Sequence, residues 1–393
     1  METEVKTQRS DVRLGRKYRF DDPGMDLFFV GALGWGPTGG LEVGQAFYVA
    51  SQIKDGDADS WVEAFDSYGD LQNAQADTWR ERGWLRSAGE MRLKAFAAYR
   101  SAWQFAPVGE IFAAIFKKQQ QAFIAAMGEL GFPAEFFAVP YNGKSLPGVF
   151  LQNPDASAPV VLVIGGSDTS FEDTFFTVGR RLFERGYSVA LADLPGQGIC
   201  QADGLYWERE AEKPIGAVLD LLMERGWARA GKIALLGLSL GGYFVTRTAG
   251  YETRFATVIA STPFYNPGEM FAAGLRETQA NAEPPKPNNP KLRNQRILAW
   301  KLGAKTPTEM VDMTSKMIAD PSLVTIPFLS ILGGAESVVF AHQAHEWHKS
   351  IRSERKALVL LDDSTGADGH CQINNRLRLV QEVGGWLDET FDK

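Results

Sequence analysis

The chain has 393 residues, 45% of them hydrophobic, which is enough to bury a large core in two domains or in one enlarged domain. Its formal net charge is -7 and it has no basic block, so nucleic acids are not expected partners. Its two cysteines, Cys200 and Cys371, are too few for a disulfide framework, and no apolar run is long enough for a signal peptide or a membrane span. We therefore expect a soluble, cytoplasmic protein with reduced thiols and no membrane partner.

The first third of the chain is predicted to be mainly helical. Apolar residues recur at steps of three and four from residue 88 to residue 102, which is the spacing of one helix face. Pro107 and Gly109 interrupt this pattern before a further amphipathic helix over residues 111–130. A helical domain is therefore predicted over residues 1–133, although residues 1–59 match no pattern that assigns them a role.

The hydrophobic pattern of the sequence changes after residue 133. Asn142-Gly143 between two apolar stretches is a strong hairpin signal. Beyond this hairpin, apolar runs alternate with helical segments, the runs lying at residues 160–164, 188–192, 233–236, 256–260, 326–332 and 356–361. Such alternation is typical of an α/β fold, in which a mostly parallel sheet is covered by helices on both faces. This core is predicted over residues 134–393.

One segment departs from the alternation. Residues 263–320 follow the run at 256–260 and include a stretch, residues 283–290, that is too rich in proline for regular structure. We interpret residues 263–320 as a lid inserted into the core.

The most informative motif is Gly237-Leu238-Ser239-Leu240-Gly241, between an apolar run and a predicted helix. A G-x-S-x-G sequence in that context is a nucleophile elbow, a sharp turn that presents a serine hydroxyl and leaves no room for side chains at its flanking glycines. Ser239 is therefore the candidate nucleophile.

A serine needs a base, and His370 is the candidate because it lies in a glycine-containing loop before the last helix. His342, His345 and His348 fall on one predicted helix, and we interpret them as a solvated face rather than as bases or metal ligands.

The base in turn needs a carboxylate that orients it, and the chain order of such triads places the acid after the penultimate strand. Glu336 lies there and is the candidate acid. Asp312, Asp362 and Asp363 remain alternatives.

Donors for a developing oxyanion are expected from the amides of Leu240 and of either Gly166 or Ser167, because Gly165-Gly166 follows an early strand as an oxyanion loop would. The glycines lack the spacing of a nucleotide-binding loop, so no cofactor is expected. No metal is expected either, because no carboxylate or thiolate cluster accompanies the three histidines of the predicted helix. Cys371 is interpreted as a small buried apolar residue.

Four features between residue 136 and residue 393 together resemble the α/β-hydrolase family: the Ser239 turn, the loop over residues 193–198, the Glu336 loop and the His370 loop. More narrowly, Gly83-Trp84-Leu85-Arg86-Ser87-Ala88, residues 92–102, Gly165-Gly166-Ser167-Asp168 with Glu172, and residues 366–372 are similar to dihydropseudooxynicotine hydrolase and to fungal hydrolases that shorten pigment polyketides. The sequence departs from that group at Glu336, where aspartate is usual, and at Phe340, where proline is common.

The resemblance implies a homodimeric enzyme that hydrolyses a carbon–carbon bond beside a ketone, with its active site between the core and the helical domain. We expect an aromatic or polyketide-type small-molecule substrate, and aromatic residues of the helical domain and lid are candidates for the pocket wall: Trp61, Trp79, Tyr99, Trp103, Phe264, Tyr265 and Phe271. An esterase, a lactonase, an acyl-transferring cyclase and a non-catalytic ligand-binding protein remain alternatives.

Overall fold

The structure, a computed structural model, describes residues 12–280 and 286–393. Five helices precede the first strand: α1 (Pro23–Gly34), α2 (Val43–Ala50), α3 (Ala58–Glu81), α4 (Leu85–Trp103) and α5 (Glu110–Leu130). Asp57 caps α3 by accepting hydrogen bonds from the amides of Asp59 and Ser60, and Gly131, at φ 68°, ends α5 in the left-handed conformation. The prediction that the chain is mainly helical before residue 133 is confirmed, and α1 and α2 lie within residues 1–59, for which no pattern was found.

Eight strands form one sheet: β1 (Ala134–Tyr141), β2 (Lys144–Leu151), β3 (Val160–Ile164), β4 (Ser188–Ala192), β5 (Ile233–Leu238), β6 (Thr257–Ser261), β7 (Phe328–Gly333) and β8 (Lys356–Leu361). Their order is β1-β2-β4-β3-β5-β6-β7-β8. The hairpin strands β1 and β2 run antiparallel, as does the β2–β4 pair, and the other pairs are parallel. The predicted fold class, a mostly parallel sheet with helices, is confirmed.

The core helices are α6 (Phe171–Thr174), α7 (Arg180–Glu184), α8 (Glu212–Glu224), α9 (Leu240–Thr248), α13 (Val338–Ser350) and α14 (Arg376–Phe391). A π-helical stretch, Phe175–Gly179, joins α6 to α7. The helical stretch begins at Phe171 because Ser170 and Asp173 form a capping box at its N-terminus.

Between β6 and β7 the chain forms three helices, α10 (Pro267–Ala280), α11 (Pro290–Leu302) and α12 (Pro307–Thr314). An insertion was predicted here from the sequence, but its helices were not. Residues 283–285 of the proline-rich stretch lie outside the described residues, and α11 begins directly at Pro290, which suits a first helical position because its missing amide hydrogen has no partner there.

Alternate residues of the central strands face opposite sides of the sheet. Val161, Val163 and Leu236 belong to the apolar core that also contains aromatic residues of the N-terminal helices, whereas Leu162 and Leu235 belong to the core on the other face. The N-terminal helices therefore share a core with the sheet, and the division at residue 133 stays a prediction about folding units. No helix in the described parts of the chain is long and apolar enough to cross a bilayer.

Candidate active site

Ser239 lies between the end of β5 and the start of α9 with φ 56° and ψ -122°. Its flanking glycines are required by space: a Cβ on Gly237 would lie 2.2 Å from the carbonyl oxygen of Gly241, and one on Gly241 would lie 2.5 Å from that of Gly165. A positive φ at a non-glycine residue is uncommon, and here the surrounding backbone holds it. The steric reason for the motif inferred from the sequence is therefore present in the structure.

The structure brings Ser239, His370 and Glu336 together although they lie in three separate loops. Oγ of Ser239 lies 2.9 Å from Nε2 of His370, and Nδ1 of His370 lies 2.7 Å from Oε1 of Glu336. The side chains of His370 and Glu336 are 7% and 0% exposed, so the hydrogen bond between them is shielded from water. This row of atoms has the geometry needed to draw a proton from a serine hydroxyl.

The charged forms of Glu336 and His370 stabilise each other. Burial opposes ionisation of Glu336, but the interactions with His370 and with the hydroxyl of Thr262 outweigh it, and the pKa of Glu336 is lowered. Burial likewise opposes charge on His370, yet the side chains of Cys371 and Glu336 favour the imidazolium, and the pKa of His370 is raised. Glu336 is therefore placed to stabilise an imidazolium that forms during a reaction.

The alternative acids do not reach His370. Asp312 pairs with Lys316 on the surface, Asp362 accepts hydrogen bonds from the amide and hydroxyl of Ser364, and Asp363 lies near Arg16. The three other histidines lie on α13, as predicted. Within the described residues, no three His, Cys, Asp or Glu side chains are grouped as metal ligands would be.

The loop after β3 packs directly against the serine turn. A Cβ on Gly166 would lie 2.8 Å from Cβ of Ser239 and 3.3 Å from its Oγ, so the backbone of Gly166 can approach a group bound at Ser239. Ser167 and Leu240 line a cavity at Ser239. These are the positions at which the sequence analysis expected oxyanion donors, and that role remains a proposal.

The interpretation of Cys371 as a buried apolar residue is wrong. Its side chain is partly exposed, and its Sγ accepts a hydrogen bond from the amide of Ser239 (3.1 Å) and donates one to the carbonyl oxygen of Ser261 (2.9 Å). Sγ also lies 3.7 Å from Nε2 of His370. The thiol therefore helps to fix the serine turn against the end of β6.

Two cavities meet at Ser239. The larger has a volume of about 460 Å³ and lies under the inserted helices, with apolar walls that include Phe264, Met270, Phe271, Leu298 and Phe340. Of the aromatic residues that the sequence analysis named, Phe264 and Phe271 line this cavity and the other five do not. The smaller cavity, of about 90 Å³, touches Ser239, His370 and Cys371.

Sequence reasoning missed two other groups at the site. The hydroxyl of Thr262 donates to Oε1 of Glu336 (2.5 Å) and so orients the carboxylate. Arg13 lines both cavities, and its carbonyl oxygen accepts the amide of His370 (3.1 Å). Thr262 directly follows a strand end, which is a usable signal, whereas no local pattern connects Arg13 with a loop more than 350 residues away.

Comparison with solved structures gives two close matches in fold. A 2,6-dihydroxy-pseudo-oxynicotine hydrolase aligns with a TM-score of 0.72 at 21% identity, covering 92% of this chain and 95% of the other. AbyA5 aligns with a TM-score of 0.67 at 16% identity, covering 94% and 98%. At these identities the likeness shows a shared fold, including the helical region before the sheet.

Several fungal proteins are similar in sequence. Hydrolase LUC6 of a Fusarium species is 26% identical over 92% of this chain and 95% of its own length. Hydrolyase ccsE of Aspergillus clavatus is 28% identical over 62% of this chain and 61% of its own length, and 20-hydroxy-prefusarin hydrolase FUS2 of Gibberella moniliformis is 29% identical over 56% of each. Apart from LUC6, the alignments span about three fifths of these relatives.

Residues 154–365 match the family described as serine aminopeptidase, S33. The matched region contains β3 to β8, with Ser239 and Glu336, and ends just before His370. Because the match covers more than half of the chain, and because the fold agrees with it, this protein belongs to that family of α/β-hydrolases.

Proposed function

We propose that this protein is a serine hydrolase that cleaves a carbon–carbon bond beside a ketone, or a related activated acyl bond, in an aromatic or polyketide-type small molecule. The observation that carries the proposal is the hydrogen-bonded row of Ser239, His370 and Glu336, in which Ser239 lines an apolar cavity of about 460 Å³. A cavity of that size and lining suits a bulky, flat, largely apolar substrate.

In the first half of the reaction, Nε2 of neutral His370 accepts the proton of Ser239 while Oγ adds to the ketone carbon. Glu336 stabilises the resulting imidazolium through Nδ1. The carbonyl oxygen becomes an alkoxide, and the amides of Leu240 and of Gly166 or Ser167 donate to it. Such preorganised donors are worth about 10²- to 10³-fold each in turnover.

Collapse of this adduct re-forms the carbonyl and breaks the carbon–carbon bond. The bonding electron pair passes to the departing carbon, where a second ketone delocalises it as an enolate, and His370 returns its proton to give a neutral ketone. Water, deprotonated by His370, then attacks the acyl carbon of the ester on Ser239, and His370 passes that proton to Oγ as the ester bond breaks. The products are a carboxylic acid, a ketone and the free serine.

The relatives are consistent with this substrate class. One similar sequence is named as a hydrolase of 20-hydroxy-prefusarin, and one similar structure as a hydrolase of 2,6-dihydroxy-pseudo-oxynicotine. The proposal extends their small-molecule substrates to this chain only as a class. The homodimer implied by the resemblance stays a prediction.

The test is product analysis by mass spectrometry with wild type and Ser239→Ala, using aryl 1,3-diketones and matched aryl esters. We expect wild type to convert the diketones into an acid and a methyl ketone and Ser239→Ala to form neither. Ser157→Ala, a change at an exposed serine between β2 and β3, is the matched control and keeps activity.

Cleavage of the esters alone by wild type would overturn the carbon–carbon reaction while leaving a serine hydrolase. Undiminished diketone cleavage by Ser239→Ala would overturn the role of the serine.

A further inference from the structure

The smaller cavity at Ser239 is lined by three arginines from distant parts of the chain: Arg13 near the N-terminus, Arg100 on α4 and Arg376 at the start of α14. We call it the arginine pocket. It lies against α1 and reaches Ser239 from a side different from the apolar cavity, since the two lining sets share Arg13 and Ser239 and otherwise differ.

The charges in the arginine pocket do not balance. Arg100 is fully engaged: it donates to Asp173 (2.5 Å), to the carbonyl oxygen of Asp168 (2.5 Å) and to Gln104 (2.9 Å). Asp168 and Asp173 supply two carboxylates to the wall against three guanidinium groups. Among these five side chains, positive charges outnumber negative charges by one.

Because Arg100 is fully paired, the arginines that lack a full set of acceptors are Arg376 and Arg13. Arg376 is 8% exposed, and one of its terminal nitrogens, Nη1, is buried without a hydrogen-bond partner among the described residues. Nε of Arg13 is likewise buried without a hydrogen-bond partner among the described residues. The guanidinium of Arg376 lies 4.7 Å from the centroid of the Trp35 ring, which holds its orientation.

A buried cation without a full set of acceptors is costly, and an anion that enters the pocket offsets that cost. Burial lowers the pKa of Arg376, which reflects the same lack of hydrogen-bond acceptors around its guanidinium. The pocket volume of about 90 Å³ is smaller than a cavity of roughly 150 Å³ that accommodates benzene. A small anionic group fits it better than an aromatic ring does.

We propose that the arginine pocket binds a carboxylate on the short side of the scissile bond, while the large apolar cavity holds the aromatic or polyketide part. Arg376 and Arg13 donate to the carboxylate and so place the intervening ketone at Oγ of Ser239. This inference rests on the proposed function, because it assigns the two ends of that substrate to the two cavities. It specifies an acidic substrate with its charge a few bonds from the reacting carbonyl.

The test compares two phenyl 1,3-diketones that differ only at the alkyl end, where one carries a carboxylate and the other a methyl group. For wild type we expect kcat/KM to be higher for the carboxylate by about tenfold or more, the range of one charge-assisted hydrogen bond. In Arg376→Met and in Arg13→Gln this ratio falls toward one, and in Arg376→Lys part of it returns.

Arg378→Met is the matched control. Arg378 lies on the same helix but pairs with Glu382 at the surface, and its substitution keeps the wild-type ratio. A wild-type ratio near one, or an unchanged ratio in both Arg376→Met and Arg13→Gln, would overturn the proposal.

A binding measurement separates this inference from the proposed function. We expect 4-oxopentanoate, a short keto acid, to bind Ser239→Ala saturably in calorimetry and to bind the Ser239→Ala/Arg376→Met double variant at least about tenfold more weakly. If wild type cleaves neither diketone but this difference is seen, the carbon–carbon reaction fails and the anion site stands. Absence of saturable binding to Ser239→Ala overturns the anion site.

Discussion

Glu336 holds its histidine through one oxygen. Oε1 lies 2.7 Å from Nδ1 of His370 and also accepts the hydroxyl of Thr262, whereas Oε2 has no partner among the described residues. The longer glutamate side chain thus reaches the position from which an aspartate would orient the base, and Thr262 fixes which oxygen is used.

Glu336→Gln is expected to reduce kcat by about 10³- to 10⁴-fold, because an amide can hold His370 in the wrong tautomer and cannot stabilise the imidazolium. The carboxylate contributes to the raised pKa of His370, so its removal lowers that pKa. The base form then persists to lower pH, and the acidic limb of the kcat/KM profile moves to lower pH. A pH–rate profile of both proteins measures both effects.

Glu354→Gln, at an exposed acid in the loop before β8, is the control and leaves the profile in place. A Glu336→Gln variant whose acidic limb stays where it is in wild type would show that Glu336 does not act on His370.

Ser239, His370 and Glu336 could be proposed as catalytic residues from the sequence because each follows a recognisable strand. The runs at β5, β7 and β8 are short, apolar and bounded by glycine-containing loops, so Ser239, Glu336 and His370 could be placed at one edge of the sheet. Arg13 and Arg376 could not be found this way. Their convergence depends on how the N-terminal segment crosses the sheet edge, and a single sequence contains no local signal for that contact.

At the scale of elements, α11 is fastened to the core by a buried cation. Lys301 is fully buried, and its Nζ donates to the carbonyl oxygens of Gly196 and Gly198 in the loop after β4. Burial lowers the pKa of Lys301 to about 8, and the nearby carboxyl of Asp193 partly offsets that effect. The loop over residues 193–198, one of the four features of the family resemblance, is therefore the anchor of α11.

Lys301→Met is expected to lower the free energy of unfolding by about 3 kcal/mol, because the two carbonyl oxygens and Asp193 lose their cation inside the protein. Urea denaturation at neutral pH measures the change. Lys316→Met, which removes an exposed pair with Asp312 just after α12, is expected to change stability by less than about 0.5 kcal/mol. Equal effects of the two substitutions would contradict the anchoring role of Lys301.

The elements most accurately predicted from sequence were those with strong periodicity. The alternation of buried strands and amphipathic helices after residue 133 predicted the sheet, and the stripes at residues 88–102 and 111–130 predicted α4 and α5. The helices α10 to α12 were missed because the proline-rich residues 283–290 lie within residues 263–320 and indicated only an irregular lid. Their stability comes from packing over the large cavity more than from local preference.

At the scale of the whole molecule, buried charges join the N-terminal helices to the sheet. Arg100 on α4 pairs with Asp173 after β3, and Gln119 on α5 donates to the hydroxyl of Ser170. Glu172 lies in the same stretch, is 1% exposed, and has one carboxyl oxygen without a partner among the described residues. This junction supplies part of the wall of the arginine pocket, so folding of the two regions and completion of the site are coupled.

Glu172 makes this junction sensitive to pH. Burial raises its pKa from 4.5 to about 7, so the native state binds this proton more tightly than the unfolded chain does. The contribution of protonated Glu172 to stability is therefore complete below about pH 4.5 and is lost as pH rises to about 7. The free energy of unfolding falls by up to about 3 kcal/mol over this range. Glu172→Gln removes the titration, so the variant should gain stability relative to wild type as pH rises through this window.

Urea denaturation of Glu172→Gln and wild type at several pH values between 4.5 and 8 measures that gain. Glu224→Gln, at an exposed acid that ends α8, serves as the matched control, and its stability difference from wild type should stay constant across the same range. A Glu172→Gln difference that is equally constant would mean that Glu172 is already ionised in the folded protein near pH 5. Its carboxylate would then need a cationic partner at the junction, which would remove the pH sensitivity inferred here.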